Sequence, residues 1–385
     1  MLKISFIKKN KLKIIKSLKL RRLNYINRVN YILNLYKYQN KIKKKIDKYI
    51  NKIKNLSIIY YKNKSNKKIY KKILKLKIKK NKNKKKYKKI KNKIFNGTLL
   101  IPNILNNIYL KNNELKNKIL YKFGKKKIIK LKKYLSHIEL SKTIELFDTK
   151  LASNISSTGF VIYYGLGLKL YNALIRYFLD YNSKSGYKEY KLPYLVNKFS
   201  LFGTGQYPDK KNIIYKLKKN NLYLIPTGEV PLINIYSNNI FDIKKLPIKS
   251  QTFTNCFRKE AGSYGKKVKG LNRIHQFGKV EIIEITSKKE SEKRLKYMLN
   301  HIKNLLKSLN LIFRIKLLPS HELSNTSSIT YDFEVYSVGQ KIWLEVSSLS
   351  NCLEYQSNNL NIKYKLNNRT YYCHTLNGSS LSIPR

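Results

Sequence analysis

The segment from residue 226 to residue 285 carries the residues of this chain whose types and spacing could do chemistry. Arg258, Glu260, Arg273 and Glu281 lie in stretches where apolar and polar residues alternate, and a Gly-rich loop separates the two stretches. Such alternation predicts β-strands. We therefore expect charged side chains on paired strands, an arrangement suited to binding a polar ligand.

The surrounding sequence predicts the elements that must position these charges. Short alternating runs follow one another with turns between them, and few helical stretches intervene. This order favours an α+β fold, in which an antiparallel sheet carries peripheral helices, without the βαβ alternation or the Gly-rich turn of a Rossmann or P-loop protein. The predicted strands are 187–196, 222–230, 251–259, 278–286, 330–337, 342–349 and 371–385, and the predicted helices are 166–181 and 288–309.

The first hundred residues predict a helical coiled-coil arm. Apolar residues recur there with a seven-residue period, and Gln39 is the one polar exception in the first seam. A polar stretch at 55–66, with Ser65 as a candidate N-cap, separates this seam from a second apolar stripe, so we expect two antiparallel helices of about 28 residues and about 40 Å each. The Lys-rich run 77–89 weakens the second stripe, and we expect fraying there. The first seam consists of Ile32, Leu35, Gln39, Ile42, Ile46, Tyr49, Ile53 and Leu56.

Charge dominates the composition: 83 Lys and Arg stand against 20 Asp and Glu, for a formal charge of +63. Such a balance ordinarily indicates nucleic-acid binding. The over-used residues, however, are those with codons rich in A and U, so we attribute much of the charge to an AT-biased, reduced genome. Asp47 is the single acidic residue of the arm, which leaves two interpretations of it open: a polyanion-binding surface, or composition bias alone.

The remaining composition excludes several classes of protein. The 385 residues allow about two domains. Three cysteines without a CxxC pair argue against a zinc ribbon and against a disulfide framework, and fit a reduced intracellular protein. No apolar run approaches the roughly 18 residues of a membrane span, so we expect no membrane partner.

Five strings together resemble the signature segments of seryl-tRNA synthetases, which are class II aminoacyl-tRNA synthetases. They also contain four of the 20 acidic residues of the chain, Glu229, Glu260, Glu281 and Glu345. The resemblance extends over the whole chain, including the opening MLKISFIKKN, the IPN after the arm and FGTGQYP. The strings are PTGEVPL (226–232), CFRKEAGSYG (256–265), HQFGKVE (275–281), LEVSSLSNC (344–352) and HTLNGSSL (374–381).

The resemblance implies an organisation and an activity. Residues 1–97 would form an N-terminal tRNA-binding domain with the helical arm, and residues 98–385 a class II catalytic domain that dimerises through 170–196. The implied activity is that of a serine–tRNA ligase: ATP-dependent activation of L-serine to seryl-adenylate, then transfer of serine to the 3′ end of tRNA(Ser). Charging of tRNA(Sec) is left open.

The resemblance also assigns roles to individual residues. Arg258 would bridge the serine carboxylate and the α-phosphate, since a guanidinium can offset charge on both. Glu260 would accept from the adenine amino group while Phe277 stacks on the ring. The residues implied in catalysis are Arg258 and Arg385; in ATP binding, Arg258, Lys259, Glu260, Arg273, Phe277, Glu345, Val346, Ser347, Ser348 and Arg385; in serine binding, Thr227, Gly228, Glu229, Arg258, Glu281 and Ser379; and in Mg²⁺ binding, Glu345 and Ser348.

Two features depart from the family pattern. Gly228 stands where relatives commonly have Ala or Ser, which should keep the contacts and loosen the backbone. Arg385, which matches the arginine expected on the γ-phosphate, is the last residue, whereas family members usually continue. We expect its free α-carboxylate to compete for the guanidinium and weaken ATP binding.

Three hypotheses from different classes follow. The first is an active serine–tRNA ligase in a bacterial cytoplasm, since the start aligns with the family start. The second is a synthetase-like enzyme with another acceptor, such as a carrier protein, which the basic arm opposes. The third is a structural or nucleic-acid-binding protein with a decayed catalytic half, which the intact Arg258, Glu260, Glu281, Glu345 and Arg385 oppose.

Overall fold

The computed structural model describes residues 1–62, 64, 66–111, 118–124, 134–209, 212–260 and 270–385. Two compact units make up the chain, Leu2–Pro102 and Asn103–Arg385, the second of which also includes Met1. The candidate cap Ser65 and most of the Gly-rich loop, 261–269, lie outside the described residues. Which activity each unit carries stays a prediction.

Helices make up the first unit and surround the sheet of the second. Among the described residues, no helix is long and apolar enough to cross a membrane. The α-helices are α1 (Ile4–Lys9), α2 (Lys11–Leu20), α3 (Ile26–Lys62), α4 (Lys67–Thr98), α5 (Asn107–Lys111), α6 (His137–Ile144), α7 (Lys150–Ile155), α8 (Gly165–Lys184), α9 (Lys198–Thr204), α10 (Glu229–Asn234), α11 (Ser291–Ser308) and α12 (Tyr355–Leu360), with single 3₁₀ turns at Ile243–Lys245 and Gly270–Asn272.

Helices α3 and α4 pack on each other as an antiparallel pair. The Lys86 ammonium lies 5.1 Å from the centre of the Tyr38 ring, and the rings of Tyr60 and Tyr70 are 5.6 Å apart. Residue numbers in the contacting pairs therefore increase along one helix and decrease along the other, as they do in an antiparallel pair. At 37 and 32 residues the helices are longer than predicted, and the Asn66 side chain caps α4 by accepting from the Ile69 amide.

The seam of this pair is more polar than an ordinary coiled coil. Gln39 is buried in α3, as predicted from its seam position. Helix α4 runs unbroken through 77–89, so the expectation of fraying there is wrong. Lys80 and Asn83 are half-buried at the positions that continue the apolar stripe of α4. The helix continues through this run because lysine has a good helix propensity and can pack its apolar stem against the neighbouring helix.

The second unit is built on an eight-stranded sheet in the order β1-β11-β12-β13-β16-β10-β9-β4, and every neighbouring pair except β4–β9 is antiparallel. The predicted α+β class is confirmed. The strands are β1 (Lys118–Phe123), β2 (Phe147–Asp148), β3 (Ile162–Tyr163), β4 (Lys188–Glu189), β5 (Leu195–Asn197), β6 (Lys216–Leu217), β7 (Leu222–Leu224), β8 (Ile240–Asp242), β9 (Ile248–Phe257), β10 (Gln276–Thr286), β11 (Phe313–Leu317), β12 (Ile329–Ser337), β13 (Ile342–Leu353), β14 (Lys363–Leu366), β15 (Arg369–Tyr372) and β16 (His374–Ser382).

Apolar side chains anchor helix α11 on the central strands. Met298, Ile302 and Leu305 recur at helical spacing and are completely buried where α11 packs against β10, β13 and β16. Helix α8 also packs against β9, β10 and β16. These contacts hold β10, β13 and β16, which carry seven of the fifteen predicted site residues, in the core.

Two sequence predictions near the site differ from the structure. The run 222–230 is a strand only over Leu222–Leu224, and helix α10 begins at Glu229. Pro231 explains the change, because proline fits the first turn of a helix and cannot donate within a central strand. Arg258 and Glu260 lie just beyond the end of β9 and not on a strand, and the Arg258 amide donates to the carbonyl of His275.

Candidate active site

A cavity of about 270 Å³ opens beside strands β10, β13 and β16. Polar and charged side chains make up most of its lining. Thirteen of the fifteen residues singled out in the sequence line it: Thr227, Glu229, Arg258, Glu260, Arg273, Phe277, Glu281, Glu345, Val346, Ser347, Ser348, Ser379 and Arg385.

Strand β10 supplies the centre of the site. Phe277, Lys279 and Glu281 alternate along it and therefore point to the same face of the sheet. Glu281 lies directly opposite Ser379 of β16, and the pairing of the two strands is irregular between Val280 and Glu281. Such bulges re-aim side chains, so this irregularity sets the direction of Glu281 and Ser379.

One end of the cavity holds a buried cluster around Glu281. The Lys279 ammonium forms an ion pair with Glu281 Oε2 and donates to Thr227 Oγ1 over 2.8 Å. The Thr227 hydroxyl donates in turn to the same Oε2 over 3.1 Å. All three side chains are buried, so the charges are shielded from water and held in fixed positions.

Glu229 is a second buried carboxylate at this end. Its Oε1 accepts hydrogen bonds from the side-chain amides of Gln356 and Asn377. Burial, reinforced by the nearby charge of Glu281, raises the pKa of Glu229 to about 7, although the two amide hydrogen bonds and Lys279 oppose the shift. Glu229 therefore changes charge near neutral pH.

The other end of the cavity holds an aromatic ring among arginines. The Arg258 guanidinium lies 5.1 Å from the centre of the Phe277 ring, and its Nε donates to the carbonyl of Pro226 over 3.1 Å. Arg273 and Glu260 form an ion pair of 3.1 Å. Glu260 has a φ of 43°, in the left-handed region that residues other than glycine rarely adopt, which indicates local strain at this turn.

Arg385 lines this side of the cavity. The Arg385 guanidinium donates from Nη1 to the backbone carbonyl of Glu345 over 2.8 Å. The Ser347 hydroxyl donates to the backbone carbonyl of Ser379, which links β13 to β16. Because Arg385 contacts the backbone oxygen of Glu345, this contact leaves the Glu345 carboxylate available to other partners.

A carboxylate pair lies beside Ser348. Asp332 is paired with Ser348 across strands β12 and β13, is buried, and has one carboxyl oxygen without a hydrogen-bond partner. Burial and the adjacent charge of Glu345 raise the pKa of Asp332 to about 7. Two neighbouring carboxylates and a hydroxyl are a donor set that suits a hard cation.

Comparisons with known proteins agree with this geometry. Residues 215–385 match the model of the tRNA synthetase class II core domain (G, H, P, S and T). The chain is 43% identical to a serine–tRNA ligase of Phytoplasma mali over 270 residues, which are 67% of this chain and 64% of that protein. It is also 43% identical to a serine–tRNA ligase of Helicobacter acinonychis over 249 residues, 65% of this chain and 60% of that protein. These matches span less than two thirds of the relatives' lengths.

A solved structure resembles the whole chain. The seryl-tRNA synthetase of Pyrococcus horikoshii, complexed with ATP, superposes with a TM-score of 0.91 at 26% identity and covers 100% of this chain and 92% of that one. The chain belongs to the seryl-tRNA synthetase family. The class II antiparallel sheet with a coiled-coil arm, inferred from the family strings, is therefore confirmed.

Two residues carried over from the family do not line the described cavity. The Lys259 ammonium lies 3.4 Å from the Asn212 side chain and is directed toward solvent. Gly228 sits behind the lining, where it caps helix α10 with a φ of −63° that any residue can adopt. The nucleotide-binding role of Lys259 and the serine-binding role of Gly228 stay predictions without support from the geometry.

The close surroundings of Gly228 lead to a testable expectation. A Cβ atom at this position would lie 2.8 Å from Thr254 Oγ1 and 3.1 Å from Thr252 Cγ2. We expect Gly228→Ala to cost about 1–3 kcal/mol of folding free energy by overpacking, seen as a lower midpoint of thermal unfolding. Adding Thr254→Ala should recover most of the loss relative to Thr254→Ala alone. An unchanged midpoint in Gly228→Ala would contradict this account.

Four residues in or next to the cavity were missed in the sequence. Lys279 was overlooked although it lies between Phe277 and Glu281 in the family string, and a lysine facing the core of a sheet is an informative signal in its own right. Gln356, Asn377 and Asp332 needed the three-dimensional structure, because their partners are distant in sequence.

Proposed function

We propose that the chain is an active serine–tRNA ligase that uses ATP to form seryl-adenylate from L-serine, with release of pyrophosphate, and then transfers the serine to the 3′ end of tRNA(Ser). One observation carries the proposal: a single cavity joins a buried two-carboxylate end at Glu229 and Glu281 to an aromatic, arginine-lined end at Phe277, Arg258 and Arg385. The first end suits the ammonium and hydroxyl of serine, and the second suits a nucleotide.

The first step needs charge stabilisation and no general base. The serine carboxylate is ionised at neutral pH, so its oxygen can attack the α-phosphorus of ATP directly. The new carboxyl oxygen–phosphorus bond forms as the bond to the bridging oxygen breaks, and pyrophosphate leaves. Arg258 lies beside Phe277 at the arginine-lined end of the cavity, and its guanidinium would offset the negative charge of both reactants.

The buried polar groups at the serine end account for selectivity. Glu281 and Ser379 face each other across β10 and β16 and would hydrogen-bond the serine hydroxyl. Alanine or glycine would leave these groups unpaired, and sites built this way discriminate strongly. Threonine would be refused by size, a weaker effect of roughly 1–3 kcal/mol per methyl group.

Magnesium fits the residues beside Ser348. Glu345 and Ser348 would hold the ion, and the buried, unpartnered oxygen of Asp332 adds to the negative potential there. When bound, magnesium would offset charge on the ATP phosphates. The surrounding side chains contribute orientation, since Asp332 lies opposite Ser348 in the sheet.

The remaining roles follow from the family. We propose that Leu2–Pro102 binds tRNA through the basic surface of α3 and α4, that the segment 170–196 forms a homodimer interface, and that the protein works in the cytoplasm. Exposed Leu166 and Leu170, one turn apart on helix α8, support the dimer proposal, because an exposed apolar pair of this kind is often covered by a partner.

Amino-acid-dependent exchange between pyrophosphate and ATP tests the activity. Serine-dependent exchange without tRNA, and aminoacylation when tRNA(Ser) transcripts are added, are the results expected of the ligase. Exchange with serine but no charging of tRNA would favour another acceptor, such as a carrier protein. No exchange with any amino acid would overturn the proposal and favour a decayed catalytic unit.

Glu229 gives the exchange reaction a pH dependence. Because the pKa of Glu229 is raised to about 7, its carboxyl is neutral below that pH and ionised above it. Only the ionised form can pair with the α-ammonium of serine, so kcat/KM for serine should fall about tenfold per pH unit on the acid side of 7. Glu229→Gln should remove this limb while lowering kcat/KM throughout. If the fall of kcat/KM below pH 7 persisted in Glu229→Gln, another titrating group would be its cause.

A further inference from the structure

Lys279 is a buried cation at the end of the cavity where the side chain of serine would lie. Its ammonium pairs with Glu281 Oε2 and donates to Thr227 Oγ1, and the Thr227 hydroxyl donates to the same Oε2. Two protein donors therefore occupy one oxygen of Glu281. Within the described residues, no side chain donates to the other oxygen, Oε1, which is left for a ligand.

The position of Lys279 on its strand explains why it lies so close to a bound amino acid. Phe277 and Glu281 flank it at intervals of two residues on the same face of β10. It thus lies between the ring expected to stack on adenine and the carboxylate expected to receive the serine hydroxyl. The ion pair with Glu281 is also shielded from solvent, where charges interact more strongly than in water.

We propose that Lys279 is a specificity-determining residue that neutralises Glu281, so that the pocket accepts a neutral hydroxymethyl side chain and refuses a cationic one of the same size. This inference rests on the proposed function, because it concerns the same amino-acid site. A serine hydroxyl can give its single hydrogen to Oε1. An ammonium at the same place would meet the like charge of Lys279 across a buried pocket.

L-2,3-diaminopropionate is the probe that isolates this effect. It differs from serine by an ammonium in place of the hydroxyl, and its size is nearly the same. Without the positive charge of Lys279, Glu281 becomes an uncompensated buried carboxylate, which attracts an ammonium more strongly than a hydroxyl. Charge at residue 279 should therefore control the ratio of the two substrates and not only the overall rate.

The experiment compares kcat/KM for serine and for L-2,3-diaminopropionate in pyrophosphate exchange at about pH 6, where both amino groups of diaminopropionate are protonated even though each lowers the pKa of the other. Lys279→Gln removes the charge and keeps an N–H donor for Thr227 and Glu281. We expect it to move the ratio toward diaminopropionate by about tenfold or more, the effect of one charge-assisted contact. Lys279→Arg should keep the ratio of the unsubstituted protein.

Two further variants separate charge from general damage. Lys316→Met removes another ion-paired lysine of the same sheet, outside the cavity, and should leave the ratio unchanged. Glu281→Gln combined with Lys279→Gln makes the pair neutral again and should cancel the gain for diaminopropionate. Lys279→Met provides a second variant without the charge. Thermal unfolding of each variant checks that it is folded.

The possible outcomes separate this inference from the proposed function. If the unsubstituted protein shows no serine-dependent exchange, both fail. If it shows exchange, and the folded charge-free variants lose serine activity without any change in the ratio, the function stands and Lys279 has only a structural role. A ratio that moves in Lys279→Gln and Lys279→Met, and not in Lys279→Arg, establishes the proposal.

Discussion

Arg258→Ala is expected to lower serine-dependent pyrophosphate exchange by about 10²–10³-fold, with most of the loss in kcat. The guanidinium lines the cavity next to Phe277, and its Nε is fixed by the carbonyl of Pro226. Its charge is therefore positioned before the substrates bind. Removing it leaves the negative charge of the carboxylate and the α-phosphate without compensation in the transition state.

Two matched variants make this prediction specific. Arg258→Lys keeps the charge and loses the planar fork, so we expect partial activity between that of the unsubstituted protein and that of Arg258→Ala. Arg369→Ala removes an exposed arginine on β15, outside the cavity, and should leave exchange unchanged. If Arg258→Ala kept a tenth or more of the exchange rate, Arg258 would not lie at the reacting centre.

The second large effect is expected from the basic surface of helix α4. Replacing four exposed lysines by glutamine should weaken tRNA(Ser) binding by about tenfold or more near 0.1 M salt, because each lysine that contacts a phosphate releases counterions on binding. The dependence of log K on log salt should also flatten by roughly 0.7–0.9 per lost phosphate contact. The four positions are Lys84, Lys85, Lys88 and Lys89.

A variant with the same change of charge elsewhere tests whether position matters. Four exposed lysines near or in helix α11 provide this control, and their replacement should change the salt dependence of tRNA binding far less. Exchange in the absence of tRNA should be intact in both variants. A loss of exchange in the α4 variant would contradict the division of labour between the two units. The control positions are Lys288, Lys289, Lys293 and Lys296.

Much of the fold could be predicted from local patterns. The seven-residue period predicted α3 and α4, and two-residue alternation predicted β9, β10, β12 and β13, because side chains repeat along one side of a helix and alternate between the two faces of a strand. Strand β11 was missed although Phe313, Ile315 and Leu317 alternate with polar residues, a signal that its short length obscured. Helix α10 was missed because its apolar residues and a proline also fit the end of a strand.

The site residues that could be predicted are those that lie together in short segments of the sequence. Arg258, Glu260, Phe277 and Glu281 come from strings that the sequence shows directly, and the structure brings them to one cavity. Hydrogen-bond partners such as Gln356 of Glu229 lie far away in sequence and come together only when the sheet forms. No period or spacing encodes that kind of contact.

Strand β10 also fixes the size of molecule that the cavity can take. Phe277 and Glu281 are four residues apart on one strand, so about 13–14 Å of stiff backbone separates their Cα atoms. Neighbours β9 and β16 pair with β10 on both sides and prevent it from stretching. The distance between the Phe277 ring and the Glu281 carboxylate therefore limits the length of the aminoacyl-adenylate that can contact both. An adenylate with one extra methylene group in its side chain would either extend beyond Glu281 or lose the stacking of its adenine on Phe277.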